Sequence, residues 1–150
     1  MNLRGNPEGA LRTRGLKNSL GFRFSNMLVH EDAESTLRVQ PHAKGFEVEI
    51  ARQGLKKPYR LVASREALHG FADELLDVLE DEPSFAEVDG PTDGSLMLRA
   101  MILPVEGTPE LMLLLQRQHV KGDEIEAELV RFASTRQMGT FASELAEITA

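Results

Sequence analysis

Residues 63–78 have the sequence ASREALHGFADELLDV, and residues 133–148 have the sequence ASTRQMGTFASELAEI. Six of the 18 positions that follow from Ala63 are identical at an offset of 70, in the pairs Ala-Ser, Phe-Ala and Glu-Leu. In both stretches a serine, a favoured helix N-cap, precedes apolar residues at spacings of three and four, which is typical of an amphipathic helix. We therefore predict the same capped helix twice and interpret the agreement as an internal duplication.

Segments in which apolar and polar residues alternate precede both predicted helices, and this period of two is typical of β-strands. The predicted strands are 20–30, 36–40, 46–52 and 58–63 before the first helix, and 95–104, 110–120 and 124–133 before the second, with a weaker candidate at 84–88. A tight connection is expected at 121–123 and a loop at 89–94. The predicted fold class is α+β, with two pseudosymmetric units of antiparallel β-strands, each followed by one α-helix.

The composition indicates one compact domain, because 150 residues with 41% hydrophobic residues can bury a single core. We assign residues 1–19 to a flexible basic arm and residues 20–150 to a single domain made of two repeats, about 20–82 and 84–150. The basic arm lacks the apolar centre of a signal peptide, and no segment approaches the roughly 20 apolar residues of a membrane span. We expect a soluble cytoplasmic protein without a membrane partner.

Charge is distributed unevenly along the chain. Residues 1–60 carry 11 Lys and Arg against 6 Asp and Glu, a net charge of +5, and residues 61–150 carry 6 against 18, a net charge of −12. Such asymmetry indicates either a charged partner surface on one half or mutual neutralisation of the two halves. The charge distribution alone does not decide between a charged partner and neutralisation of one half by the other.

No arrangement of residues indicates catalysis, and we expect a protein that is not an enzyme and holds no cofactor or metal. Cysteine is absent, which excludes disulfides and thiolate nucleophiles. The four histidines lie in separate segments without a second ligand at metal-site spacing, and no phosphate-binding or nucleophile motif is present. We expect His69, on the polar side of its helix, to be exposed.

Two strands of the second half are apolar on both faces, within LMLRAMILP at 96–104 and ELMLLLQ at 110–116. Such strands are usually covered on both sides, and one helix can cover only one face. The other face is therefore expected to meet the first half, another protein, or a second copy in a homo-oligomer.

The segments KPYRLVASREALHGFADELLDVLE (57–80) and AELVRFASTRQMGTFASELAEI (127–148) resemble the last strand and capped helix of the whirly and PUR group of single-stranded nucleic-acid-binding proteins, and of the related positive-cofactor-type coactivators. The resemblance is one of topology over residues 20–150 and includes no diagnostic motif. It implies two pseudosymmetric units with curved sheets and helices crossing behind them. It also implies that single-stranded DNA or RNA binds on a sheet face, with bases stacked on aromatic residues and phosphates contacted by Lys and Arg.

The segment ARQGLKKPYR at 51–60 is the best candidate for such binding, because it places cations and a tyrosine around one hairpin. Outward positions on the first two strands would extend this patch, and Phe22 or Phe24 would be available for stacking only if the opposite face of the strand is used. The alternative is an ordinary solvated hairpin. The candidate nucleic-acid-binding residues are Arg23, Arg38, Arg52, Lys56, Lys57, Tyr59 and Arg60.

Two features oppose this hypothesis. Glu124, Glu126 and Glu128 are predicted to form an acidic stripe on the outward face of one strand, and aromatic residues make up only 5% of the chain. We therefore predict a non-enzymatic protein whose basic first repeat binds single-stranded nucleic acid. The alternative is a protein-interaction or regulatory module that uses the acidic second repeat and the apolar strands.

Overall fold

The computed structural model describes residues 19–24, 26–54, 57–81, 85–103, 110–118 and 126–150, with the backbone alone at 19–24. Five strands precede a first helix, and four strands precede a second helix. The first set is β1 (Ser19–Phe24), β2 (Met27–Asp32), β3 (Ser35–His42), β4 (Gly45–Arg52), β5 (Tyr59–Ala63) and α1 (Arg65–Glu80). The second set is β6 (Ala86–Asp93), β7 (Leu96–Leu103), β8 (Glu110–Arg117), β9 (Ala127–Phe132) and α2 (Thr135–Ile148).

The strands form two antiparallel meanders, each in chain order. We call β1–β5 the first sheet and β6–β9 the second sheet. Every pair of neighbouring strands is antiparallel. The α+β class, with two antiparallel sheets and two helices, is confirmed.

Each sheet has an inner face that contributes to one hydrophobic core. Leu37, Ile50 and Leu61 are fully buried on the inner face of the first sheet, and Leu113 and Val130 on that of the second. Burial alternates along β3 and β7 as the pleat requires. The side of each sheet that points away from the core is called its outer face.

Both helices begin where the sequence predicts. The hydroxyl oxygen of Ser64 accepts a hydrogen bond from the Ala67 N–H at 3.1 Å, and that of Ser134 accepts one from the Gln137 N–H at 3.1 Å. These caps satisfy backbone donors that have no partner within the helix. The predicted apolar stripes are buried against the sheets at Leu68, Phe71 and Leu75 in α1, and at Met138, Phe141, Leu145 and Ile148 in α2.

The first predicted strand is in fact two. β1 and β2 form a hairpin that turns between Phe24 and Met27, and its register pairs Phe22 with Val29 and Arg23 with Leu28. The prediction that Arg23 occupies an outward position, with Phe22 and Phe24 on the opposite face, is therefore wrong. The turn restarts the alternation, so position 22 belongs to the outer face and position 23 to the face of Leu28.

The predicted loop at 89–94 is largely strand, because β6 continues to Asp93 through a register shift between Asp89 and Thr92. Gly90 permits this close packing. A β-carbon there would lie 2.9 Å from Cδ1 of Phe71 and 3.0 Å from the carbonyl oxygen of Leu98. The connection predicted at 121–123 lies outside the described residues.

The two halves exchange hydrogen bonds at their sheet edges. The Val62 N–H of β5 donates to Oδ2 of Asp93 at 2.9 Å, and the Arg131 N–H of β9 donates to Oδ2 of Asp32 at 2.8 Å. The last strand of the first sheet is thus bonded to the aspartate that ends β6. The last strand of the second sheet is bonded to the aspartate that ends β2.

The helices also contact each other. Nδ1 of His69 lies 3.1 Å from Oγ1 of Thr149, so the half-buried His69 is not the freely exposed residue that we expected. At the other end of the helix pair, Leu79 packs against Gly139. A β-carbon added at Gly139 would lie 4.0 Å from Cδ1 of Leu79. Within the described residues, no helix is both long and apolar enough to cross a membrane.

Candidate nucleic-acid interface

A row of directly paired residues crosses the outer face of the first sheet. Val29 pairs with Arg38, Arg38 with Glu49, and Glu49 with Arg60. At the β1 end the backbone register adds Phe22, opposite Val29. The row therefore runs across all strands of the sheet and brings two of the predicted arginines together.

Glu49 holds both arginines in place. Its Oε1 lies 3.3 Å from Nη1 of Arg38, and its Oε2 accepts a hydrogen bond of 2.8 Å from Nε of Arg60. Glu49 is only 8% exposed, whereas the two arginine side chains are 42% and 55% exposed. Since a guanidinium has five N–H donors, each arginine keeps donors directed at solvent. The cluster has two cations and one anion, which suits it to bind a phosphate group.

The surrounding outer face is not strongly positive. Gln40 donates to Oε1 of Glu47 at 3.0 Å, and Glu31 lies on the same face in β2. The carboxylates of Glu31, Glu47 and Glu49 outnumber the guanidinium groups of Arg38 and Arg60. An anion would therefore be bound by local donor geometry rather than attracted by a large field.

Arg52 belongs to a different arrangement. Its Nε donates to Oε1 of Glu128 at 2.6 Å and to Oε2 at 3.2 Å, which joins β4 to β9. This hydrogen bond and the charge of Glu128 raise the pKa of Arg52 above its ordinary value. Arg52 therefore connects the two sheets instead of extending the row of Arg38 and Arg60.

The acidic stripe predicted on the last strand is not formed as expected. Glu128 is 5% exposed and pairs with Leu115 on the inner face of the second sheet, while Leu129 lies on the outer face. Glu126 precedes β9, and its Oε1 lies 3.3 Å from Nε of Arg117. Glu124 lies outside the described residues. The strand begins later than predicted, and the ion pair between the buried Glu128 and the exposed Arg52 accounts for the reversed face.

The other predicted residues are divided among several places. Tyr59 is half-buried, and its ring lies 5.2 Å from the guanidinium carbon of Arg117, a contact between the two halves. Lys57 is exposed beside it. Lys56 lies outside the described residues, and the register of β1 places Arg23 opposite Leu28, away from the row. The structure thus brings together Arg38 and Arg60, with Lys57 on the adjacent hairpin.

Glu49 is the residue of this row that sequence reasoning did not single out. The alternation in FEVEIAR at 46–52 is consistent with the outer position of Glu49, but nothing in the sequence specified which residues of β3 and β5 would stand beside it. That information lies in the register between strands that are distant in sequence.

A second candidate region is a cleft of about 350 Å³ between β2 and the start of α2. Leu28, His30, Ser134, Arg136 and Phe141 are among its lining residues. Within the described residues, no group of three or more His, Asp or Glu side chains is placed to hold a metal ion. Polar residues such as Gln137 and Thr140 line it alongside the apolar ones.

No protein-family model matches the chain, and comparison with the curated proteins also found no match.

Proposed function

We propose that this protein is a non-enzymatic binder of single-stranded nucleic acid, and that the bound nucleic acid lies on the outer face of the first sheet. The observation that carries the proposal is the row in which Arg38 and Arg60 are oriented by the buried carboxylate of Glu49. Phe22 stands in the same row by register. Exposed arginine donors and an aromatic position on one sheet face are the combination that single-strand binding uses.

The spacing of the row suits an extended single strand of nucleic acid. Arg38 and Arg60 are separated by one intervening strand, which corresponds to about 10 Å between their backbones. The two guanidinium groups can therefore contact different phosphates, while bases lie toward β1 and β2. Duplex DNA, whose bases are already stacked and paired, gains nothing from the aromatic position.

We further propose that the two halves are pseudosymmetric copies of one unit. The contact between positions 69 and 149 has a counterpart between 139 and 79, which are the same positions shifted by 70 in opposite directions. The reciprocal bonds to Asp32 and Asp93 support the same relationship. Contacts of this reciprocal type characterise two-fold related units.

This arrangement also supports the proposed relationship to the whirly and PUR group, in which two strand-rich units pack with their helices together. The additional strand β1 is the main departure from a unit of four strands and a helix. It extends the first sheet on the side of the proposed interface and provides the aromatic position at its margin.

Fluorescence anisotropy with labelled oligothymidylate, a single-stranded RNA of mixed sequence and a DNA duplex, each at several salt concentrations, tests the proposal. We expect both single strands to bind more tightly than the duplex. Two phosphate contacts on a single strand should give a slope of about −1.4 in log K against log salt, with any contribution from the basic arm added to it. Equal affinity for duplex, or no binding at low salt, would contradict the proposal.

A triple variant tests the site directly. Replacing Arg38, Glu49 and Arg60 together by Gln removes both cations without leaving the buried carboxylate unpaired. Single-strand affinity should fall at least tenfold, since each charge-assisted contact contributes about 1–2 kcal/mol. Arg65→Gln, which removes an exposed cation on α1, is the matched control and should bind like the unmodified protein.

A further inference from the structure

A polar pair lies beside the row of arginines on the outer face of the first sheet. Gln40 and Glu47 are directly paired in β3 and β4, two positions along these strands from Arg38 and Glu49. Two residues along a strand correspond to about 7 Å, and side chains two positions apart share a face. The pair is therefore within reach of a nucleotide whose phosphates contact Arg38 and Arg60.

The pair has a defined orientation. Nε2 of Gln40 donates a hydrogen bond to Oε1 of Glu47 at 3.0 Å. This bond assigns the nitrogen end of the amide, because an ionised carboxylate only accepts hydrogen bonds. Within the part of the chain that the structure describes, Oε2 of Glu47 has no partner. Both residues are half-buried, and Oε2 of Glu47 and Oε1 of Gln40 remain as acceptors.

The charge of Glu47 determines which part of a nucleic acid can lie beside it. Glu49 is neutralised by its ion pairs with Arg38 and Arg60, at 3.3 Å and 2.8 Å. Among the described residues, no cation forms an ion pair with Glu47, so its negative charge would repel a phosphate. A strand whose phosphates contact the two arginines therefore presents its sugars or bases to Glu47.

The nucleotide between the two bound phosphates crosses β4, because Arg38 and Arg60 lie on the strands to either side of it. On the outer face of β4, both carboxylate oxygens of Glu49 are already engaged by arginine. Ala51, on the other side of Glu49, has no polar side chain. Glu47 is thus the side chain of this strand that can accept a hydrogen bond from that nucleotide.

We propose that Glu47, oriented by Gln40, is a specificity-determining residue that favours a base with an exocyclic amino group over thymine or uracil. The inference rests on the proposed nucleic-acid binding. Deoxyribose within a DNA strand has no hydrogen-bond donor, so the base is the group that can pair with the carboxylate. Cytosine, adenine and guanine donate from an amino group, whereas thymine and uracil have carbonyl oxygens that would face another acceptor.

Fluorescence anisotropy with labelled oligodeoxycytidylate and oligodeoxyuridylate of equal length, at neutral pH and one salt concentration, tests this selection. The two ligands share the same backbone and the same ring size, and they differ in the donor and acceptor pattern of the base edge. The unmodified protein should bind oligodeoxycytidylate about tenfold more tightly. Glu47→Gln, whose amide donates to uracil as readily as it accepts from cytosine, should reduce this ratio to about one.

Glu31→Gln, which removes the same charge from the same face in β2, is the matched control. It should change both affinities by the same factor and leave their ratio unaltered, and thermal unfolding establishes that each variant is folded. Equal affinities in the unmodified protein, or a ratio that survives Glu47→Gln, would overturn the inference and leave nucleic-acid binding intact. If neither oligonucleotide bound at low salt, the proposed function itself would be wrong, and this inference with it.

Discussion

At the scale of single residues, His30 is where the first sheet meets the second sheet and α2. It is 1% exposed, its ring stacks on Phe132 at 3.9 Å between centroids, and the edge of Phe141 lies against it. Its Nε2 lies 2.9 Å from the carbonyl oxygen of Arg131, so Nε2 carries the proton of the neutral ring. Burial lowers the pKa of His30 and outweighs the hydrogen bond and the nearby Asp32, which act in the opposite direction.

This shift of the His30 pKa predicts a pH-dependent stability. The folded state binds the proton less well than the unfolded state, whose value is 6.5, so stability is fully present above that pH and is lost as pH falls toward the lower folded pKa. In that window the loss is at most about 1.4 kcal/mol per pH unit. Chemical denaturation at several pH values checks this prediction.

The matched variant is His30→Gln, which keeps a donor toward the Arg131 carbonyl but does not titrate. Its free energy of unfolding should vary less between pH 7 and pH 5 than that of the unmodified protein. If the free energy of unfolding varied with pH in the same way for both proteins, the assignment of this pH dependence to His30 would be wrong, whatever their absolute stabilities. The carboxylates titrate in both proteins, so the difference isolates His30.

Single residues also show where sequence-based prediction ended. The serine caps depend on neighbours within a few residues, so the local pattern predicted them correctly. The burial of Glu128 could not be predicted, because its partner Arg52 is 76 residues away. A charge that is neutralised across the fold has the same local pattern as one that faces solvent.

At the scale of elements, the helices and most strands followed from periodicity, whereas the connections did not. Alternation cannot detect that a turn restarts the pattern, which is why the hairpin of β1 and β2 was predicted as one strand. A run rich in Gly, Pro and Asp was predicted as a loop, although β6 passes through it. There, packing of Phe71 over Gly90 overrides the local turn preference.

Two glycine substitutions test this packing. Gly90→Ala should destabilise the protein by about 1–3 kcal/mol, because the new β-carbon would fall 2.9 Å from Phe71 and 3.0 Å from backbone. Gly70→Ala, at an exposed position of α1 with open space around it, should stabilise by up to about 1 kcal/mol. Thermal or urea unfolding measures both. Equal effects at the two positions would mean that β6 does not pack against α1 as described.

At the scale of the whole molecule, the two sheets share an apolar inner face but differ on the outer face. The first sheet presents Arg38, Glu49 and Arg60, and the corresponding face of the second sheet places Met and Leu side chains among its charged ones. The proposed nucleic-acid surface therefore belongs to the first sheet alone. Composition shows no face of a sheet, and only the strand register shows which residues share one.

The most direct test of nucleic-acid binding is a titration of isotope-labelled protein with oligothymidylate, followed by amide chemical shifts. The largest changes are predicted on the first sheet, at β3 to β5 around Arg38 and Arg60, with the amides of β1 and β2 following as the aromatic position is occupied. The amides of β7 and β8 should change little, because these strands belong to the second sheet. Changes concentrated on the second sheet, or none at saturating oligonucleotide, would contradict the assignment of the first sheet as the binding surface.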